Sequence, residues 1–245
     1  MKHKRYELLD TIRGIVLISM IIYHASWNLV YIYGVDWGWY RSKGAYIWQQ
    51  SICWTFILLS GFCFSMGKRH LKSGLMVFGG GLLVTVVTLI FMPGNRVIFG
   101  VLTCIGSCVL LLNFTQNIWK KIPDRAGLVS MFFLFLLTKN INNGYLGIGE
   151  SVMLELPGTW FRNYVTTYLG FPHKRFYSTD YFSLFPWLFL FLTGFYLYRL
   201  LEKQGILENE FFKQKILPFA FLGRHSLLIY LLHQPVIYGL QELIF

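Results

Sequence analysis

Apolar runs recur along this chain, and several are long enough to cross a hydrocarbon layer of roughly 30 Å, which takes about 20 helical residues. No other feature narrows the fold as far. In lipid, backbone polar groups must bond within their own segment, so such runs are helices. The periodicity predicts about seven spans, over 12–33, 46–66, 74–92, 97–114, 126–140, 181–200 and 217–243. Composition agrees: the 245 residues are 55% hydrophobic and only 13% charged. A soluble domain of that make-up would lack the polar surface to cover itself. The expectation is an all-α polytopic membrane protein, one domain over residues 1–245 and a bundle of about seven transmembrane helices.

The net charge of +11 invites a nucleic-acid reading, but its distribution argues against one. With the N-terminus in the cytoplasm, the inner side receives Lys2, Lys4, Arg5, Lys68, Arg69, Lys72, Lys120, Lys121, Arg125, Arg199, Lys203, Lys213 and Lys215. The outer side receives Arg41, Lys43, Arg96, Lys139, Arg162, Lys174 and Arg175. Thirteen against seven follows the positive-inside rule, with the N-terminus in and the C-terminus out. The basic excess is topological, its partner the membrane lipid headgroups. No basic face outside the membrane is visible for nucleic acid to use.

"MKHKRYELLD" has the charge of a leader, but Asp10 and Arg13 interrupt the apolar run that follows, so the start is read as the first span. Cys53, Cys63, Cys104 and Cys108 all fall inside expected spans and read as small apolar residues. No metal site is expected. The outer segment 140–180 is long and rich in Gly, Pro, Trp and Tyr. Its apolar content argues against disorder. It is expected to pack over the outer mouth of the bundle, with a short helix near 159–169; an ordinary structured loop is the other reading.

The first span carries groups that lipid penalises. In "LLDTIRGIVLISMIIYHASWN", helical spacing puts Asp10, Arg13 and His24 within an arc of about 60°. Asn28 and Tyr31 continue the stripe. Arg13 and His24 lie roughly 16 Å apart along the axis, so a polar line runs from the inner face toward the membrane middle. A boundary ion pair accounts for Asp10 and Arg13 as well as a functional pair does. An intramembrane histidine usually faces a cavity or a partner, and a satisfied structural histidine is the other reading of His24. The last span, "FLGRHSLLIYLLHQPVIYGL", repeats the pattern, with Ser226, Tyr230 and His233 on one face and Pro235 expected to bend the helix beside His233.

"LLDTIRG…H" resembles the start of the heparan-alpha-glucosaminide N-acetyltransferase catalytic domain family, in its small bacterial branch, and Arg13 with His24 more distantly matches the arginine–ten residues–histidine motif of membrane acyltransferases that acetylate cell-surface glycans. "RVIFGVLTCIGSCVLLL" (96–112), "DYFSLFPWLFLFLTGFYLYR" (180–199) and "LGRHSLLIYLLHQPV" (222–236) extend the likeness over nearly the whole chain. The resemblance implies an enzyme of a bacterial plasma (inner) membrane. It would transfer acetyl from cytoplasmic acetyl-CoA to an amine or hydroxyl of an extracytoplasmic glycan or glycolipid. His24 then corresponds to the catalytic histidine, with Arg13 and Asp10 paired at the inner end of its helix.

Acyl transfer from a thioester needs a base for the acceptor or a nucleophile to hold the acyl group, and a neutral His24 serves either way. Direct transfer with His24 as general base is the main expectation and an acetyl-histidine intermediate the lesser one. Arg13, Arg69 and Lys120, with Lys68 and Lys121, are candidates to meet the CoA phosphates. His233, Tyr230 or Ser226 could donate to the oxyanion. Asn28, Tyr230, Ser226 and Asp180 are the expected acceptor contacts. The alternative class is a small transporter or proton-coupled channel with a mid-membrane histidine relay. A homodimer is compatible with the sequence.

Overall fold

The structure, a computed structural model, describes residues 6–245. Lys2, Lys4 and Arg5 of the expected inner charge lie outside the described residues. The helices are α1 (Glu7–Tyr31), α2 (Lys43–Phe64), α3 (His70–Phe91), α4 (Val101–Trp119), α5 (Asp124–Thr138), α6 (Tyr164–Leu169), α7 (Leu184–Lys203), α8 (Leu217–Arg224) and α9 (Ser226–Glu242). Two strands, β1 (Tyr145–Ile148) and β2 (Ser151–Glu155), pair antiparallel between α5 and α6.

Among the described residues, five helices are long and apolar enough to cross a membrane: α1, α2, α3, α4 and α7. This is fewer than the sequence suggested, for two reasons. The segment expected near 126–140 yields a helix of only 15 residues. The run 217–243 is not one helix: it breaks at His225 (φ −103°, ψ 17°), leaving 8 residues in α8 and 17 in α9. The break falls where Arg224 and His225 interrupt the apolar pattern, and α9 then continues through Pro235. The outward face of α3 exposes Leu75, Met76, Leu82, Leu83, Val86 and Ile90. In water that would be a large apolar patch; against lipid tails it is the expected surface.

The chain forms two compact units, with the division inside α2: residues up to Leu59 with Gln204–Phe245, and Ser60–Lys203. In the first unit α1 crosses α8 at very short range. A Cβ on Gly14 would lie 1.9 Å from the Phe219 carbonyl oxygen, and one on Gly223 would lie 1.9 Å from that of Asp10. Small residues at such crossings let backbones touch, which is how helices gain packing in lipid. Above the crossing Leu17, Met20 and Ile52 form a buried cluster with Trp48, Leu222, Ile229 and Tyr230 packed on it.

The second unit uses glycine and aromatic packing. Gly106 of α4 faces the Phe78 backbone of α3 (2.5 Å to a would-be Cβ), and Gly127 of α5 faces the Tyr196 ring of α7 (2.4 Å). Phe135, Phe191, Phe195 and Tyr196 are fully buried. Tyr196 spends its hydroxyl on the Trp119 carbonyl at 2.8 Å, so a buried phenol is satisfied. Phe185 is extended (φ −95°, ψ 135°), so regular helix in α7 starts at Pro186, where the missing N–H costs nothing.

The segment 140–180 contains the expected short helix, as α6 after a 3-10 turn at Gly158–Trp160. Asn163 accepts from the Val165 and Thr166 amides and closes a capping box. The hairpin was not anticipated. Its two-residue loop places Gly149 at φ +61°, which a tight hairpin turn asks of its first residue.

Candidate active site

The candidate site lies in the first unit and begins at the head of α1. Asp10 is buried and pairs with Arg13 at 3.4 Å. Its other oxygen is 3.7 Å from Arg224 Nε at the end of α8. Arg224 also pairs closely with Glu7, and Lys215 lies 3.8 Å from Glu7. Asp10 thus meets two guanidinium groups, Arg13 and Arg224, while Glu7 meets Arg224 and Lys215. The close α1–α8 crossing brings these groups together. Arg13 and Asp10 therefore belong to a wider ionic cluster, and the Glu7–Arg224 link is one that spacing along a single helix does not reveal.

Farther along α1, His24 meets His233. The ring centroids are 4.9 Å apart with the planes at 56°. His233 is buried, and its Nδ1 lies 2.5 Å from the Tyr230 carbonyl oxygen one turn back. Its Nε2 is buried with no hydrogen-bond partner among the described residues. His24 Nδ1 faces Gln234 Nε2 at 3.4 Å. The two histidines singled out on separate helices thus share one site.

A line of amides continues from His24. Asn28 is almost wholly buried. Its Nδ2 donates to Gln241 Oε1 at 2.9 Å and, more weakly, to Gln234 Oε1 at 3.4 Å. Gln241 Nε2 donates to the Ala25 carbonyl at 3.0 Å. Asn28 Oδ1 is buried without a partner among the described residues. Gln234 and Gln241 were missed from sequence. A signal existed: two amides seven residues apart lie on one face of an otherwise apolar helix.

The other expected residues divide. The Tyr230 ring packs beside His233, with centroids 5.2 Å apart, and on the Leu17 cluster. Ser226 opens α9, two turns before His233. Tyr31, on the same stripe as His24, is exposed. Asp180, Arg69 and Lys120 belong to the second unit. Asp180 Oδ2 accepts from the Val101 amide at 3.3 Å, so it caps α4 and faces the positive end of that helix. Burial nevertheless outweighs this bond and pushes its carboxyl up to about 6. Arg69 is exposed ahead of α3. Lys120 donates to Gln116 at 2.8 Å and lines a cavity of about 460 Å³ with His70, Arg199, Lys203 and Ser65. Arg199 is held there by Asp124 at 2.6 Å. Among the described residues, no group of three or more His, Cys, Asp or Glu side chains could hold a metal ion.

The family model described as "Heparan-alpha-glucosaminide N-acetyltransferase, catalytic" matches residues 5–235, a stretch that takes in both units and both histidines. No curated protein and no solved structure matches the chain.

Proposed function

Because the chain belongs to the heparan-alpha-glucosaminide N-acetyltransferase catalytic family, we propose that it is a membrane-embedded acyltransferase working as one functional domain. It carries acetyl from cytoplasmic acetyl-CoA to an amine or hydroxyl of an extracytoplasmic glycan or glycolipid. The observation that carries this reading is the His24–His233 pair, with centroids 4.9 Å apart and one ring nitrogen buried and unpartnered. A transferase of this type needs a proton acceptor at the attacking group and a donor at the thioester oxygen. Two facing imidazoles supply both.

In this reading one imidazole, His24 by the sequence motif, removes the acceptor's proton as the acceptor attacks the thioester carbon. The free Asn28 Oδ1 suits an acceptor N–H or O–H. The ionic cluster at the head of α1 keeps Arg13 beside Asp10, on the side that the charge bias assigns to the cytoplasm. There it would draw the donor's phosphates. Arg69 and Lys120, in the second unit, remain donor-phosphate candidates in this proposal, Lys120 beside Arg199 and Lys203 in that unit's cavity. Tyr230, Ser226 and Asp180 remain acceptor contacts in this proposal, Asp180 with a capping duty besides. The expected setting is a bacterial inner membrane.

The test is acetyl transfer by the purified protein in lipid vesicles, followed both as CoA thiol release and as labelled acetyl on the acceptor. Transfer should fall at least about 10²-fold in His24→Ala while the protein still inserts. Proton flux across the vesicles without any thiol release would instead favour the transporter class.

A further inference from the structure

The hydrogen bonds around the two imidazoles have fixed senses, and following them assigns each ring a tautomer. A carbonyl oxygen only accepts. The contact from His233 Nδ1 to the Tyr230 carbonyl, at 2.5 Å, therefore requires the proton on Nδ1. In the neutral ring Nε2 then carries the lone pair, and that is the atom buried without a partner.

His24 is fixed from the opposite direction. Gln241 Nε2 faces the Ala25 carbonyl at 3.0 Å, which sets the orientation of that amide, since its oxygen would repel another oxygen there. Gln241 Oε1 is left to accept from Asn28 Nδ2 at 2.9 Å. The second Asn28 N–H then points to Gln234 Oε1 at 3.4 Å. Gln234 in turn presents N–H to His24 Nδ1 at 3.4 Å. Each amide flip depends on the one before it, and the series begins at a main-chain carbonyl that cannot flip. His24 Nδ1 accepts, so its proton sits on Nε2.

We infer that the imidazole pair has opposed roles, with His233 Nε2 as the base and His24 Nε2–H as the donor to the thioester oxygen. Gln234, Asn28 and Gln241 act as positioning residues that hold His24 in its donor form. This rests on the acyl-transfer reading and reverses the role that the arginine–histidine spacing alone gives to His24. The acceptor's N–H or O–H proton passes to His233 Nε2 as its nitrogen or oxygen bonds to the acetyl carbon. The thioester oxygen becomes an oxyanion held by His24 Nε2–H. The carbon–sulfur bond then breaks, the carbonyl re-forms, and the proton on His233 passes to the departing thiolate to give CoA thiol. No oxidant, reductant or metal is needed.

The experiment is nitrogen NMR of the full chain in lipid nanodiscs with ¹⁵N-labelled histidine, assigned through His24→Gln and His233→Gln. It is paired with turnover on acetyl-CoA, using glucosamine as the acceptor probe. The expected spectrum shows His24 protonated at Nε2 and His233 at Nδ1. The same tautomer on both rings, or the reverse assignment, overturns the inference.

In turnover, a glutamine at position 24 still offers an N–H donor, so His24→Gln should lose about tenfold or less. His233→Gln removes the proposed base and should lose about 10³-fold; the opposite ranking also overturns the inference. Gln234→Glu replaces the amide donor with an acceptor of the same shape. It should move the His24 proton to Nδ1 and lower kcat about 10²-fold, with KM for acetyl-CoA within about twofold. An unmoved proton in that variant counts against the relay. If a variant fails to fold, the wild-type spectrum still decides the tautomers. Absence of thiol release beside the expected spectrum removes the transferase reading and leaves the hydrogen-bond assignment standing.

Discussion

The two units solve the problem of packing helices in lipid in different ways. The second is aromatic where it is deepest: Phe135, Phe191 and Phe195 fill its core, and its fully buried phenol, Tyr196, bonds to a main-chain carbonyl. The first places charge and amide where lipid penalises both, with Asp10, Asn28, His233 and Gln241 all buried. Both rely on glycine for close crossings, Gly14 and Gly223 in one and Gly106 and Gly127 in the other. What separates them is therefore the kind of polar group, hydroxyls such as Thr103, Ser107 and Thr193 in the second against carboxylate, amide and imidazole in the first, and leaving atoms such as His233 Nε2 and Asn28 Oδ1 without a partner among the described residues costs stability. In the proposed function these are the atoms that a substrate meets.

The largest expected effect on this contrast comes from the imidazoles. His233→Ala should lower transfer about 10²–10⁴-fold with little loss of folded protein, measured by thiol release and size-exclusion recovery. Phe191→Ala should do the reverse, cutting stability by about 3–5 kcal/mol as a core cavity opens, seen as a lower thermal midpoint in detergent.

Crowding the glycine contacts comes next. Gly223→Leu, forced against the Asp10 carbonyl, should cost at least about 1–3 kcal/mol and also transfer activity. Gly106→Leu should cost a similar amount of stability with less effect on the turnover of the protein that remains folded. Equal loss of activity per folded molecule would show that the contrast between the units is wrong.

Arg224→Gln should be milder. It removes a partner of Glu7 and Asp10 at a half-exposed site and should cost about 1 kcal/mol, with a larger shift at low salt than at high.

The smallest effect is a pH dependence in the second unit. Burial raises the Asp180 carboxyl from 3.8 to about 6. A group raised in the fold contributes its stability below its unfolded value and loses it as pH climbs through the folded value. The melting midpoint of the wild type, relative to Asp180→Asn, should therefore fall between about pH 4 and about pH 6 and level off above. A difference that is flat over this range would remove the buried-carboxyl description.

Much of the fold was legible because hydropathy is additive along a helix. The four longest early runs appear as α1 to α4 with ends shifted by several residues. The stripe of Asp10, Arg13, His24 and Asn28 was legible for the same reason, since helical periodicity fixes a face whatever it packs on. The break at His225 was not, because the flanking apolar residues read as one run and a single polar step looked tolerable. Nor was the β1–β2 hairpin: its alternation is brief, and the exposed side chains of β2 carry no burial pattern. Asp180 was expected only to meet a substrate, but its bond is to an amide about 80 residues away in sequence, which local spacing cannot reveal.

By itself, then, the sequence determined the class of solvent, the helical character and which face of the first helix is polar, since all three follow from local composition and a fixed rise and turn per residue. The tertiary structure decided what that face meets. Two glycine notches set how α1 and α8 cross, and contacts across more than 200 residues aligned Asn28 with Gln241 and His24 with Gln234. The tautomer proposed for His24 rests on those distant partners, whereas that of His233 rests on the Tyr230 carbonyl one turn back in its own helix, because a hydrogen bond has a direction only when both of its ends are in place.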